Sequence, residues 1–181
     1  LVYGNRAAMW VLLLAELGLV FYTTARINRL SLSTATTLFI VYAALNGVTM
    51  SFIFMAFTTA TIAKVFFITA ATFGATAVYG FVTKADLSNL FLMALFGLII
   101  ATVVNMFIKS TSLDLVLSYI GVVLFVGLTA WDSQQIKRML SMQVGLDEGA
   151  QKVALIGALS LYLDFINLFL YLLRIFGRND N

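Results

Sequence analysis

The sequence predicts an all-α membrane protein with six visible transmembrane helices. Three observations carry this. Of 181 residues, 62% are hydrophobic and 10% charged, against about 25% charged in soluble domains. The mean hydropathy is +1.02. The apolar residues fall into long runs, about twice what a barrel strand needs and without alternation.

The runs cover approximately 7–25, 35–57, 62–82, 89–108, 113–131 and 153–176. Charged and turn-forming breaks separate them: RINRLSLS, TTATIAK, TKADLSN, KSTSLD and the longer DSQQIKRMLSMQVGLDEGAQK. Short connections imply antiparallel neighbours. The whole chain, 1–181, reads as a single integral membrane domain. Its one sizeable polar loop is 132–152, whose start, SQQIKRML, can continue the preceding helix beyond the membrane.

Orientation follows from Lys and Arg in alternate connections. Arg26, Arg29, Lys84, Lys137, Arg138 and Lys152 form one set of six. Arg6, Lys64, Lys109, Arg174 and Arg178 form the other, of five. The small excess places the first set, and the 132–152 loop, in the cytoplasm.

Composition excludes much chemistry. The chain has no Cys and no His, so disulfides, thiolate nucleophiles, most zinc sites and imidazole pH sensing are absent. It has no Pro, so no helix is broken by that route. The net charge of +3 comes from residues scattered through loops and predicts no nucleic-acid partner. The chain opens on LVYGNR without an initiator Met and without a visible signal peptide, which reads as a trimmed or partial chain.

Five runs carry polar or small residues at spacings of three and four. These are Gly157, Ser160, Asp164, Asn167, Tyr171 and Arg174 in the last run, and Ser118, Gly121, Phe125, Thr129 and Asp132 in the fifth. Thr69, Thr72, Thr76, Tyr79 and Thr83 lie in the third, Tyr42, Asn46 and Thr49 in the second, and Gly97, Ala101 and Asn105 in the fourth. Such stripes face other helices. Helix packing explains the Gly, Ser and Thr positions; it does not explain the charges.

Asp164 lies inside VALIGALSLYLDFINLFLYLLRIF, 153–176. A carboxylate near the centre of a membrane helix costs about 2.5–3.5 kcal/mol even on the mildest scale. It must therefore face protein, water or an ion, and Asp164 is read as a transport or ion site. Glu16 is about ten residues (roughly 15 Å of helix) from both Arg6 and Arg26, so it too is deep. Arg174, a further ten residues along from Asp164, stands about 15 Å away and cannot reach it. Glu16 is the best partner for Arg174; the alternative is that Arg174 snorkels to the interface. Asp132 and Asp164 lie on consecutive antiparallel helices. They meet if the helix holding Asp132 continues inward, or if water reaches Asp164. Two carboxylates sharing a site cannot both ionise easily, so their joint titration spreads. That is a pH switch without histidine.

Two intramembrane aspartates also raise an intramembrane aspartyl protease. Such enzymes carry Gly-x-Gly-Asp and a Pro-containing loop; this chain has LYLD at Asp164 and no Pro. The chain is read as not an enzyme.

SLYLDFINLFLYLLRIFG (160–177), WDSQQIK (131–137) and AELGLVFYTTARINRLS (15–31) resemble the Bax inhibitor-1 family, the transmembrane Bax-inhibitor-motif proteins. The resemblance covers essentially the whole chain and implies a seventh helix ahead of Leu1. It implies two three-helix layers around a central last helix. It implies a pH-sensitive calcium leak channel or calcium/proton exchanger, with Asp132 and Asp164 as the pH-sensing pair lining the pore. A glutamate–arginine pair of the family is matched by Glu16 and Arg174. An arginine that holds the first aspartate is matched by Arg26 or Arg29, and spacing does not say which. The short loops look bacterial, as of an inner-membrane protein, so the family's eukaryotic role in cell death is not carried over.

Calcium takes six to eight oxygens. Asp132 and Asp164, with Asn167, either Asn46 or Asn105, and water, would make a weak site, which suits conduction. No tightly bound cofactor is expected; the partners are lipid, calcium and protons. The alternative is a regulatory protein that binds a membrane protease or another membrane partner without transport.

Overall fold

A computed structural model describes residues 6–85, 87, 90–145 and 147–177; for residues 6–10, 13 and 90–93 it describes the backbone alone. Arg178 lies outside the described residues, as does Asn89, where the fourth run was expected to begin. Six helices follow in chain order: α1 (Arg6–Arg26), α2 (Leu32–Phe54), α3 (Thr59–Val82), α4 (Leu90–Ile108), α5 (Thr111–Ser141) and α6 (Glu148–Gly177). Among the described residues there is no strand. Four helices, α2, α3, α5 and α6, are long and apolar enough to cross a membrane, and α4 offers a shorter apolar stretch, Ala94–Ile108.

α2, α3, α5 and α6 start earlier than their apolar runs because their first turns are polar. Ser31, Thr58 and Ser110 are N-caps. Each side-chain oxygen accepts a backbone N–H three residues on, at 3.1, 3.2 and 3.2 Å. A Ser or Thr there satisfies a donor that the helix leaves open. Asp147 does the same for α6, accepting from the Ala150 N–H at 2.9 Å. The 132–152 loop is corrected accordingly. α5 runs on through Asp132 to Ser141 and α6 begins at Glu148, leaving Met142–Asp147 as the connection. The polar stretch SQQIKRML is helical surface, with Gln134 and Ser133 buried.

The described residues form two compact units. The first comprises 1–56 and 143–156, the second 57–142 and 157–181. In the first, α1 packs on α2. The start of α6 joins them: Glu148 Oε1 accepts the Leu32 N–H at 3.2 Å and lies 3.5 Å from Lys152 Nζ. In the second, α5 packs against both α3 and α4. The α3–α5 crossing is close because Gly80 has no side chain; a Cβ there would fall on the Ala130 carbonyl.

The distribution of polarity is inverted relative to a water-soluble bundle. Thr69, Ser118 and Thr129 are fully buried, while Phe21, Phe67, Phe107 and Val123 are more than 70% exposed. The buried hydroxyls are satisfied within their own helices. Thr69 donates to the Val65 carbonyl, Ser118 to Asp114 and Thr129 to Phe125, all at 2.7–2.8 Å. This is how a hydroxyl is carried into a medium without water. Three stripe positions depart from expectation: Tyr79, Gly97 and Arg174 are exposed, and among the described residues a Cβ added at Gly97 would meet nothing within 4 Å.

Gly80→Ala should therefore force α3 and α5 apart, at a cost of about 1–3 kcal/mol, visible as a lower melting temperature in detergent. Gly97→Ala should not lower it.

Candidate ion site on the α5–α6 seam

Within the second unit α5 and α6 meet along one antiparallel seam. Ile136 lies against Gly157, where a Cβ would stand 2.8 Å from the isoleucine side chain. Asp132 and Asp164 come next, their carboxyls within hydrogen-bonding reach of each other. The Tyr171 ring then covers Gly121, where a Cβ would be 2.7 Å from it, and stacks on Phe125 with centroids 5.8 Å apart. At the far end Arg174 Nη1 lies 3.7 Å from Asp114 Oδ1. Phe165 sits beside Phe66 and Phe73 of α3, at 5.7 and 5.3 Å between centroids.

The difficulty of bringing Asp132 to Asp164 disappears once both helices are longer than their apolar runs. Asp132 is an interior residue of a helix that ends at Ser141, and α6 starts at Glu148. Asp164 is 4% exposed; Asp132 is half-buried. Asp164 Oδ2 is buried and has no hydrogen-bond partner. A buried oxygen in that condition is an acceptor awaiting a proton, a water or a cation.

The stretch after Asp132 is tied to the end of α3. Gln134 Nε2 donates to the Ala85 carbonyl at 2.7 Å, and Lys137 Nζ to the Phe81 carbonyl at 2.8 Å. These are cationic and amide donors at a helix C-terminus, where carbonyls are otherwise open. The sequence offers Gln134 and Lys137 as residues that can continue α5, but not their partners at the end of α3.

The other expected site residues are placed as follows. Asn167 donates its amide to the Leu163 carbonyl at 2.8 Å, which leaves its oxygen as the half a cation would use. Asn105 is buried, but its Oδ1 accepts the Ser110 N–H at 3.1 Å. Together with the Lys109 N–H on the Asn105 carbonyl at 2.7 Å and Lys109 at φ 56°, this ends α4 in a left-handed cap. Asn46 is buried in the first unit. Arg26 closes α1, Arg29 lies in the turn after it, and both are exposed.

The sequence reading paired Glu16 with Arg174. The two fall in different units, and within its own unit each has a further partner. Glu16, 7% exposed, accepts from Thr49 Oγ1 at 2.6 Å. Arg174 has Asp114 and stands 5.6 Å from the Tyr171 ring centroid. Asp114 was missed because it sits where a connection meets an apolar run and reads as an interfacial turn.

Among the described residues no three acidic side chains cluster as a metal site.

The chain is similar to known proteins over nearly its full length. The family model described as "Inhibitor of apoptosis-promoting Bax1" matches residues 2–181. The inner membrane protein YbhL of Escherichia coli strain K12 is 48% identical over 181 residues, covering 98% of this chain and 77% of the relative. A protein of Borreliella burgdorferi is 44% identical over 184 residues, covering 100% and 79%. A membrane protein of Streptococcus pyogenes serotype M3 is 45% identical over 168 residues, covering 91% and 72%. Apolar helices that turn their hydroxyls inward, and a sequence matched by one family almost from end to end, make this multi-pass integral membrane protein a member of the Bax inhibitor family.

Proposed function

We propose that the protein is a pH-sensitive calcium leak pathway of the bacterial inner membrane, gated by protonation of the Asp132–Asp164 pair. One observation carries the reading: two carboxyls from facing helices approach each other inside the apolar seam, and one oxygen of Asp164 is buried without a partner. A deep carboxylate of this kind is costly and in membrane helices marks an ion or proton path. When one proton is shared, the pair bonds across the seam and holds α5 to α6. When both groups are charged, they repel, and a cation between them is stabilised. The thin ligand set suits passage rather than storage. Calcium is cargo here, and no resident cofactor or hydrolytic step is part of the proposal.

The inner membrane is supported by the name of the Escherichia coli relative. The seven-helix bundle with α6 at its centre is part of the same reading, as is the assignment of Arg26 or Arg29 as the latch on Asp132. Support for a central α6 is its burial: Leu168, Phe169, Leu172 and Leu173 are all buried. Glu16 is assigned to structure rather than conduction.

The test is calcium flux in proteoliposomes as a function of pH. The parent should carry calcium with a pH-dependent rate. Asp164→Asn keeps the shape and removes the charge; flux or its pH dependence should be lost with the fold retained. Unchanged flux and profile would sink the site. No flux from the folded parent would favour a regulatory membrane protein instead.

Asp132→Asn should differ in kind, giving an altered leak rather than an absent one. Because groups in one network are non-additive, the double variant should depart from the sum of the two single effects on the pH midpoint. Strict additivity would show that the two acids act separately.

For Glu16, Thr49→Val removes the hydroxyl donor. A hydrogen bond to a charged group contributes about 1.5–3 kcal/mol, so the variant should melt earlier in detergent while retaining pH-dependent flux. Altered flux with unchanged melting would move Glu16 into the ion path.

A further inference from the structure

We propose that Tyr171 is a plug closing the outer end of the α5–α6 seam, and that the Arg174–Asp114 pair pins it shut. The proposal rests on the reading of Asp164 as a water- or ion-reached site.

Asp164, Tyr171 and Arg174 are spaced by seven and three residues on one helix, so they share a face. Tyr171 stands two turns beyond Asp164, about 10 Å along the axis. Its ring fills the seam at Gly121, where α5 presents no side chain. A Cβ on Gly121 would lie 2.7–2.8 Å from three ring carbons. Phe125 closes the ring's face, 5.8 Å away and inclined by 26°. On the far side the Arg174 guanidinium stands 5.6 Å from the ring centroid while its Nη1 reaches Asp114.

Both charges are placed where the backbone favours them. Asp114 is in the first turn of α5 and Arg174 in the last turn of α6, so each complements its own helix dipole. Water has a way to this end. A cavity of about 260 Å³, lined by Asn105, Lys109, Ser110, Thr111 and Asp114, opens at the α4–α5 turn. The Tyr171 ring then separates that wet vestibule from the unpartnered Asp164 oxygen. Movement of α6 against α5 would have to break the ion pair before the ring could leave Gly121.

The chain contains no cysteine, so a single introduced thiol reports access cleanly. The full-length protein carrying Asp164→Cys is reconstituted in liposomes and labelled with a membrane-impermeant thiol reagent from the side of the Asp114 vestibule. With Tyr171 in place labelling should be slow. Tyr171→Ala, which removes the ring, and Gly121→Ala, which displaces it, should each raise the rate severalfold. Arg174→Gln should raise it less, and Tyr171→Phe should leave it slow. Asn167→Cys serves as a second probe position if Asp164→Cys does not fold. Labelling at the parent rate in both Tyr171→Ala and Gly121→Ala overturns the plug. Calcium flux, measured with Asp164 intact, separates the two ideas. Faster labelling without flux in any variant keeps the plug and removes the ion reading. Flux in the parent with unchanged labelling keeps the ion reading and removes the plug.

Discussion

A polar group carried into lipid has to find its partner inside the protein, and the architecture of this chain follows from that requirement. Hydroxyls meet it locally, by bonding the carbonyl one turn back, and so ask nothing of the neighbouring helix. Carboxylates cannot: an ionised acid offers only acceptors, and every carbonyl of its own helix is an acceptor as well. Asp164 must be met from across a seam, and α5 supplies Asp132. Glu16 must be met across the α1–α2 contact, and Thr49 supplies the hydroxyl. Both acids are thus met by a neighbouring helix, not by their own.

The α5–α6 seam shows how the same requirement grades along one interface. Gly157 admits Ile136, Gly121 admits Tyr171, and between them the acids face each other. Small residues set how near the helices come, and the large ring and the acids fill what is left. The Phe165 contacts with Phe66 and Phe73 brace α6 from the α3 side through edge-to-face rings, a geometry that tolerates small shifts.

Much of this was legible in the chain. Apolar runs located all six helices, and the spacing of Gly157, Asp164, Asn167 and Tyr171 marked the face of α6 that meets α5. What hydropathy could not show was the chemistry of helix ends. Ser31, Thr58 and Ser110 look like breaks on a hydropathy scale, yet they are the residues that start helices. SQQIKRML is too polar for an apolar run and reads as the start of a loop that can continue the helix; its backbone is helical throughout. The same blindness hid Asp114, whose place at an end made it look interfacial, and it hid Gln134 and Lys137, whose partners are backbone carbonyls that no sequence pattern names.

The length of α5 has a mechanical meaning. Its 31 residues give about 46 Å, against a hydrocarbon core of about 30 Å. The portion beyond Asp132 is an arm of roughly 14 Å. A rotation of about 10° around Asp132 would sweep the tip of such an arm through some 2 Å. Because Gln134 and Lys137 grip the end of α3 close to the pivot, that sweep would be transmitted to a second helix rather than dissipated in a free end. Any rotation of α5 about Asp132 would thereby reach the membrane surface through two helices rather than one.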